Sequence, residues 1–162
     1  MASGDINQAQ GTNVVVTISL ASLASSATFV AGRESTAIDN TTTKALDFLL
    51  DGKIKVGTTP TASKEIRVYV IGIKGDGAWP DVFDGTDSAE TVTNTGILDS
   101  IGRIAAIIVP ATTSDVSYDF GPISVASLFG GVMPQQFVIF VAHSTVAALN
   151  ATAGDHVINA RP

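Results

Sequence analysis

The stretch EIRVYVIGI at residues 65–73 decides the fold class of this chain. It is β-branched or aromatic at most positions, a composition that favours strands over helices. A second stretch, FVIFVAH at residues 137–143, is apolar at consecutive positions, as in a strand whose two faces are both covered. The two stretches together predict a protein built from β-strands.

Shorter strands are predicted outward from these two stretches. Residues 14–20 alternate between apolar and polar side chains, which is the period of a half-buried strand. Residues 45–50 and 53–56 are interpreted as two strands joined by a tight turn at Asp51-Gly52. Further strands are expected at 28–32, 103–109, 116–120, 123–125 and 156–160, with a helical turn at 97–102.

The number and spacing of these strands predict an all-β fold, an antiparallel β-sandwich of the jelly-roll kind with one long acidic loop. We expect a single domain over residues 12–162, preceded by a polar arm at residues 1–11 that orders on a neighbouring subunit. The residues predicted to form the core are Val14, Val16, Ile18, Leu46, Phe48, Val68, Val70, Ile107, Phe137 and Ile139.

Charged residues make up only 15% of the 162 residues, whereas about 25% is usual. A weakly charged surface suits a subunit that packs among neighbours, because such a surface costs little to desolvate. The net charge of −6 argues against a nucleic-acid partner. The longest apolar runs, 103–109 and 137–142, are far shorter than the roughly 18 residues of a membrane-spanning helix. No signal peptide or cysteine is seen, so we expect synthesis in a cytoplasm and no disulfides.

A long loop at residues 74–96, which we call the acidic loop, is the strongest candidate for a site. Residues 75–102 carry six acidic side chains and no Lys or Arg, and in PDVFDGTDSAE the acids recur every three residues, at Asp81, Asp84, Asp87 and Glu90. Carboxylates in a loop are ligands that Ca²⁺ prefers, although this spacing is not that of an EF-hand. The alternative is an exposed loop without a cofactor, whose Asp side chains cap turns or contact a partner.

No pattern of catalytic residues is found, so we expect a protein that is not an enzyme. His143 and His156, with Asp155 next to the second, have residue types found in zinc sites, but polar positions at strand ends are the simpler interpretation. Four aromatic side chains have the chemistry to stack on a sugar, although Trp79 beside Pro80 more simply anchors its loop; they are Tyr69, Trp79, Phe83 and Tyr118.

An ordered series of strand and turn motifs covers most of residues 35–155. It consists of STAIDNTT at 35–42, ALDFL at 45–49, GKIKVGTTPT at 52–61, the strand at 66–73, WPDVFDGTDS at 79–88, GPISVA at 121–126, LFGGVMP at 128–134 and ALN at 148–150. In this order the motifs resemble small structural proteins of tailed bacteriophages. The arm at residues 1–11 lies outside the resemblance.

The resemblance implies a virion component made in the cytoplasm of a host bacterium, with no catalytic residue to carry over. The role that best fits a compact acidic sandwich is a capsid decoration or cement protein, and a tail or vertex component is the alternative. The implied partners are the major capsid protein, other virion proteins and further copies of this chain. A carbohydrate-binding β-sandwich module is the competing interpretation, and it depends on Trp79 and the acidic loop.

Overall fold

The computed structural model describes residues 11–162. The predicted polar arm therefore lies outside the described residues, apart from Gly11. Within them the chain is an all-β sandwich, as predicted, in which two antiparallel sheets pack against each other. The strands are β1 (Val14–Val15), β2 (Ala31–Glu34), β3 (Ile38–Asp39), β4 (Leu49–Lys55), β5 (Ile66–Gly72), β6 (Ala89–Thr91), β7 (Arg103–Ile108), β8 (Ser117–Ser124), β9 (Gln136–His143) and β10 (Val157–Arg161). The helices are α1 (Thr95–Ile101), α2 (Val125–Leu128) and a single 3₁₀ turn (Ala153–Asp155).

The strand order differs between the two sheets. The four-stranded sheet has the order β1-β10-β4-β8. The six-stranded sheet has the order β6-β2-β9-β5-β7, and β3 also pairs with β9. This order does not confirm the jelly-roll connectivity, which stays a prediction.

The two stretches that predicted the fold pair with each other as β5 and β9. Their register runs from Ile66 opposite His143 to Gly72 opposite Phe137. Every residue from Phe137 to His143 is fully buried, which confirms that both faces of β9 are covered. An apolar strand without alternation is stable only in such a position, because each face must be removed from water.

Two hydrophobic cores lie on opposite faces of the six-stranded sheet. The larger core, between the sheets, combines side chains of β5 and β9 with Leu50, Ile54 and Ile158 of the four-stranded sheet. The smaller core uses the alternate residues of the same two strands, and Phe83, Val92 and Leu98 cover it from the acidic loop and α1. The helical turn predicted at 97–102 is confirmed as α1, whose first turn is capped by the Asn94 side chain.

Four of the ten predicted core residues are wrong or only partly correct. Val14 is 47% exposed, Leu46 is 92% exposed and Ile107 is 51% exposed, while Ile18 is half-buried. β1 and β7 lie at sheet edges, where an alternating pattern does not guarantee that anything covers the apolar face. The predicted core residues that are buried are Val16, Phe48, Val68, Val70, Phe137 and Ile139.

Leu46 is exposed because residues 45–48 do not form the predicted strand. The Asn40 side chain bonds both the N–H and the carbonyl of Ala45, at 2.8 and 3.1 Å. The Asp47 carboxylate accepts from the N–H groups of Phe48 and Ala126, each at 2.8 Å. Such side-chain bonds to the backbone compete with strand pairing.

Two predicted breaks between strands are also wrong. Asp51-Gly52 is not a turn, because β4 runs through it with a β-bulge between Leu50 and Gly52. A Cβ at Gly52 would lie 2.6 Å from the Val157 carbonyl oxygen and 2.9 Å from the Phe120 ring, so this glycine allows close packing. Likewise, β8 continues through Gly121 and Pro122 as one strand, and Val125 begins α2 instead of ending a strand.

The acidic loop at 74–96 contains one element that the sequence did not indicate. β6 lies within it and pairs with β2, with Gly32 opposite Glu90. The three residues of β6 have no apolar alternation, because their contribution is backbone pairing at the sheet edge.

Candidate functional site

The first two of the four candidate calcium ligands, Asp81 and Asp84, each bind one threonine. Asp81 accepts hydrogen bonds from the N–H and hydroxyl of Thr93, at 2.9 and 2.7 Å. Asp84 accepts from the N–H and hydroxyl of Thr86, at 2.9 and 2.6 Å. The Thr93 N–H is the main cause that lowers the pKa of Asp81, and the Thr86 hydroxyl is the main cause for Asp84. Asp84 thus holds a turn of the loop, whereas Asp81 joins two parts of the loop that are separated in sequence.

The other two carboxylates of the loop have different partners. Asp87 forms an ion pair with Arg33, with 2.6 Å between Nε and Oδ1, and it accepts from the N–H and hydroxyl of Ser19. Burial opposes ionisation of Asp87, but Arg33 and Ser19 outweigh it, and the pKa of Asp87 is lowered. Glu90 accepts a hydrogen bond of 2.6 Å from the Ser88 hydroxyl. Asp87 therefore ties the loop to β2 and to the segment before it.

The structure does not bring the four candidate calcium ligands together. Among residues 11–162, no group of three or more His, Asp or Glu side chains is arranged so that it could hold a metal ion. Each carboxylate is instead engaged by hydroxyl, amide or guanidinium donors of the protein. The geometry assigns these side chains to holding the loop in place.

Glu34 is a residue of this region that the sequence interpretation missed. It lies in β2 beneath the acidic loop and is fully buried. Its carboxylate accepts hydrogen bonds from the N–H groups of Gly85 at 2.7 Å and Asp84 at 3.3 Å. Burial raises the pKa of Glu34 to about 7, with a smaller contribution from the charges of Asp84 and Glu90, while the two N–H donors oppose the shift. In the sequence, the position of Glu34 is marked only by its spacing of two residues from Gly32, which places both residues on the same side of the strand.

The two histidines lie in separate surroundings. His143 is buried, with Nδ1 2.8 Å from the Thr145 hydroxyl and Nε2 2.9 Å from the Leu23 carbonyl oxygen. Burial lowers the pKa of His143. His156 has Nε2 2.9 Å from the Asn150 carbonyl oxygen, and the neighbouring Asp155 pairs with Lys55 at 2.8 Å. These contacts join loops to strands, and they do not assemble the zinc site weighed above.

The four aromatic residues do not form a shared exposed platform. Tyr69 and Phe83 are buried in the smaller core, where each packs against the Phe140 ring. Trp79 is half-buried against the same core, and the Tyr118 hydroxyl accepts a hydrogen bond from the Ala111 N–H. Trp79 is thus placed as the loop anchor that its position beside Pro80 suggested.

Exposed aliphatic side chains gather along the terminal strand of the six-stranded sheet. Ile104, Ile107 and Val109 are 42%, 51% and 58% exposed, whereas Ile108 between the last two is buried. We call these three residues the apolar edge. Among the described strands, β7 pairs with β5 alone, so it is the terminal strand of this sheet. A run of exposed aliphatic residues at a sheet edge is typical of a protein-binding surface or of an aggregation site.

A second exposed apolar region lies beside an open groove of about 480 Å³. Leu46 and Val132 are both exposed there, and Lys44 contributes a positive charge to the lining. β1, at the edge of the other sheet, also exposes Val14 and Val15. In the described part of the chain, no helix has the length and apolarity needed to cross a membrane.

Comparisons with known proteins find no match to this chain. A scan against protein-family models finds no model that matches the chain. Searches of curated proteins and of solved structures find no matching protein and no matching structure. The resemblance to phage structural proteins therefore stays a prediction, and a functional conclusion has to come from the chain's own surfaces.

Proposed function

We propose that this protein is a structural subunit that binds other proteins through its apolar edge, as a capsid decoration protein on the particle of a tailed bacteriophage. The observation that carries the proposal is the exposure of Ile104, Ile107 and Val109 on a terminal strand. Burying apolar surface is worth about 25 cal/mol per Å², so a partner that covers these side chains gains free energy without specific polar contacts.

One charged side chain next to the apolar edge, that of Arg67, supports docking because it is already paired within the chain. Arg67 lies opposite Ile107 in the register of β5 and β7. Its guanidinium donates to Glu65 at 2.7 Å and lies 4.0 Å from the centre of the Phe29 ring. A partner that covers Ile107 therefore meets an Arg67 charge that is already compensated, whereas unpaired charges are the groups that cost most to desolvate.

The partners proposed are the major capsid protein and further copies of this chain. A single edge of three aliphatic side chains is a small contact for a stable complex. Repetition of the same contact by particle symmetry compensates for this, because linked weak contacts add through avidity. A subunit that binds only the assembled shell also stabilises that shell by mass action.

Quantitative mass spectrometry of purified phage particles tests the location. Hundreds of copies per particle would support a decoration protein spread over the capsid. Few copies, as set by the symmetry of one vertex or of the tail, would favour a tail or vertex component instead. Absence of the protein from the particle would overturn the proposal.

A pair of variants tests the apolar edge itself. We expect Ile107→Lys to reduce incorporation into particles at least ten-fold, because a buried unpaired ammonium is costly in an interface. Val146→Lys is the matched control, since Val146 is also an exposed aliphatic residue but does not belong to β7 or to the apolar edge. Equal incorporation of the two variants would show that the edge is not the docking surface.

A further inference from the structure

Glu34 is fully buried, yet among residues 11–162 no cation contacts its carboxylate. The polar contacts of that carboxylate are the N–H groups of Asp84 and Gly85. Arg33, the adjacent residue, directs its guanidinium to Asp87 instead. On the opposite side Glu34 pairs with Phe140 of β9, which is apolar. Its surroundings therefore offer two backbone dipoles but no compensating charge.

The charged groups that face Glu34 oppose its ionisation. Asp84 in the loop and Glu90 in β6 both act on it as negative charges. The nearest ion pair, Arg33 with Asp87, is already satisfied by the contacts described above. Since the pKa values of Asp84 and Asp87 are lowered, these two side chains stay ionised across the neutral range. Glu34 is thus the group of this cluster whose charge changes near neutral pH.

The backbone that Glu34 holds is the turn at residues 83–86, which we call the latched turn. Gly85 donates its N–H to Glu34, and its carbonyl accepts from the Ala37 N–H at 2.9 Å. Phe83, at the start of the turn, fills the smaller core and packs against the Phe140 ring at 5.3 Å between centroids. Any movement of the turn would therefore uncover both Glu34 and part of this core.

We propose that Glu34 is a proton-dependent latch: its protonated form holds the latched turn closed over the smaller core, and its ionisation loosens the turn. The physical reason is linkage, since a closed form that buries the carboxyl binds the proton more tightly than an open form that exposes it to water. Arg33 and Asp87 keep the rest of the loop attached at either pH.

The pH range of the latch follows from the two limiting states. Below the ordinary value of 4.5 Glu34 is protonated in both forms, so the balance between them does not change with pH. Between there and a pKa of about 7 only the closed form keeps the proton, and the open form gains as the pH rises. Above that range both forms are ionised, and the open form has gained at most a few hundred-fold.

The chain contains its own probe for this movement. Trp79 is the single tryptophan of the sequence. A Cβ added at Gly85 would lie 3.3 Å from two atoms of the Trp79 ring, so the indole packs directly beside the latched turn. Indole fluorescence therefore reports on this turn without a label.

A pH titration of Trp79 fluorescence from pH 5 to pH 9 tests the latch. We expect a transition in the native protein with its midpoint near the pKa of Glu34. Glu34→Gln, which mimics the protonated carboxyl, should remove the transition. Glu90→Gln is the matched control: it should keep the transition but lower its midpoint, because one negative charge beside Glu34 is gone.

A second measurement keeps the test independent of the variants. Amide hydrogen exchange of Gly85 and Thr86 in the native chain, corrected for the intrinsic pH dependence, should accelerate at least ten-fold between pH 5.5 and pH 8.5. The amides of β9 serve as the internal reference and should not change. A native chain without a fluorescence transition and without this acceleration would overturn the proposal, as would an unchanged transition in Glu34→Gln.

Discussion

At the scale of single residues, Gly32 shows how closely β2 approaches β9. A Cβ at this position would overlap the Val141 carbonyl oxygen and lie 2.6 Å from the Phe140 ring. The strand therefore needs a residue without a side chain at this position. The next two residues, Arg33 and Glu34, bind the acidic loop through their side chains. Backbone packing of this kind leaves no apolar pattern in the sequence.

We predict that Gly32→Ala destabilises the fold by about 1–3 kcal/mol, because the methyl group forces β2 away from β9. Gly75→Ala is the control, since nothing lies within 4 Å of its added Cβ. That variant should change the stability by no more than about 0.5 kcal/mol, or raise it slightly by restricting the unfolded chain. Urea unfolding midpoints measure both, and equal midpoints would contradict the overlap.

At the scale of elements, an aromatic pair joins β9 to the residue that precedes β4. Phe137, in β9, and Phe48, just before β4, are both buried and meet edge to face, with 5.5 Å between ring centroids. Such pairs add to the free energy gained from burial alone. The contact therefore stabilises the packing of one sheet on the other.

We predict that Phe137→Ala lowers the free energy of unfolding by about 3–5 kcal/mol, through lost burial and the cavity that remains. Leu46→Ala is the control, because this leucine was expected in the core and is nearly fully exposed. It should cost no more than about 0.5 kcal/mol. Calorimetry of the two variants decides the matter, and a large loss for Leu46→Ala would refute its placement.

The elements differ in how far the sequence predicts them. Long apolar stretches such as those of β5 and β9 are recognised because burial on both faces requires an apolar residue at nearly every position. β6 and the break in residues 45–48 depend on backbone pairing and on single bonds from Asn40 and Asp47. The pairing of β6 with β2 joins residues that are far apart in the chain, so no local pattern predicts it. The bonds of Asn40 to Ala45 and of Asp47 to Phe48 are local, but they depend on individual side chains and leave no periodic pattern.

The contacts of the acidic loop show the same difference between features that a local pattern predicts and features that it does not. Its carboxylates were recognised from their spacing, and turn capping by Asp84 follows from local chemistry. The ion pair of Asp87 with Arg33 and the burial of Glu34 link residues about fifty positions apart. A sequence without aligned relatives offers no signal for contacts at that separation.

At the scale of the whole molecule, the six-stranded sheet connects the two cores. Alternate side chains of β5 and β9 enter the larger core on one face and the smaller core on the other. Neither core can lose these strands without disrupting the other. The sandwich and the layer formed by α1 and the acidic loop therefore belong to one cooperative unit.

We predict a single unfolding transition at pH 6, where the latched turn is closed. Far-ultraviolet circular dichroism follows the strands, and Trp79 fluorescence follows the smaller core. Their urea unfolding curves should coincide, because the shared strands couple the cores. A fluorescence transition at clearly lower urea would mean that the loop and α1 unfold as a separate unit.

The position of β10 has a consequence for biosynthesis. Although it is the last of the described strands in the chain, it lies between β1 and β4, and it alone joins the first strand to the rest of its sheet. A ribosome releases β10 after the nine other described strands, so a growing polypeptide can pair β4 with β8 and β5 with β9 while the side of β4 that binds β10 is still unpaired. Until β10 emerges, that side of β4 and the facing side of β1 carry unpaired backbone groups, and unpaired strand edges of this kind make a folding chain prone to aggregation.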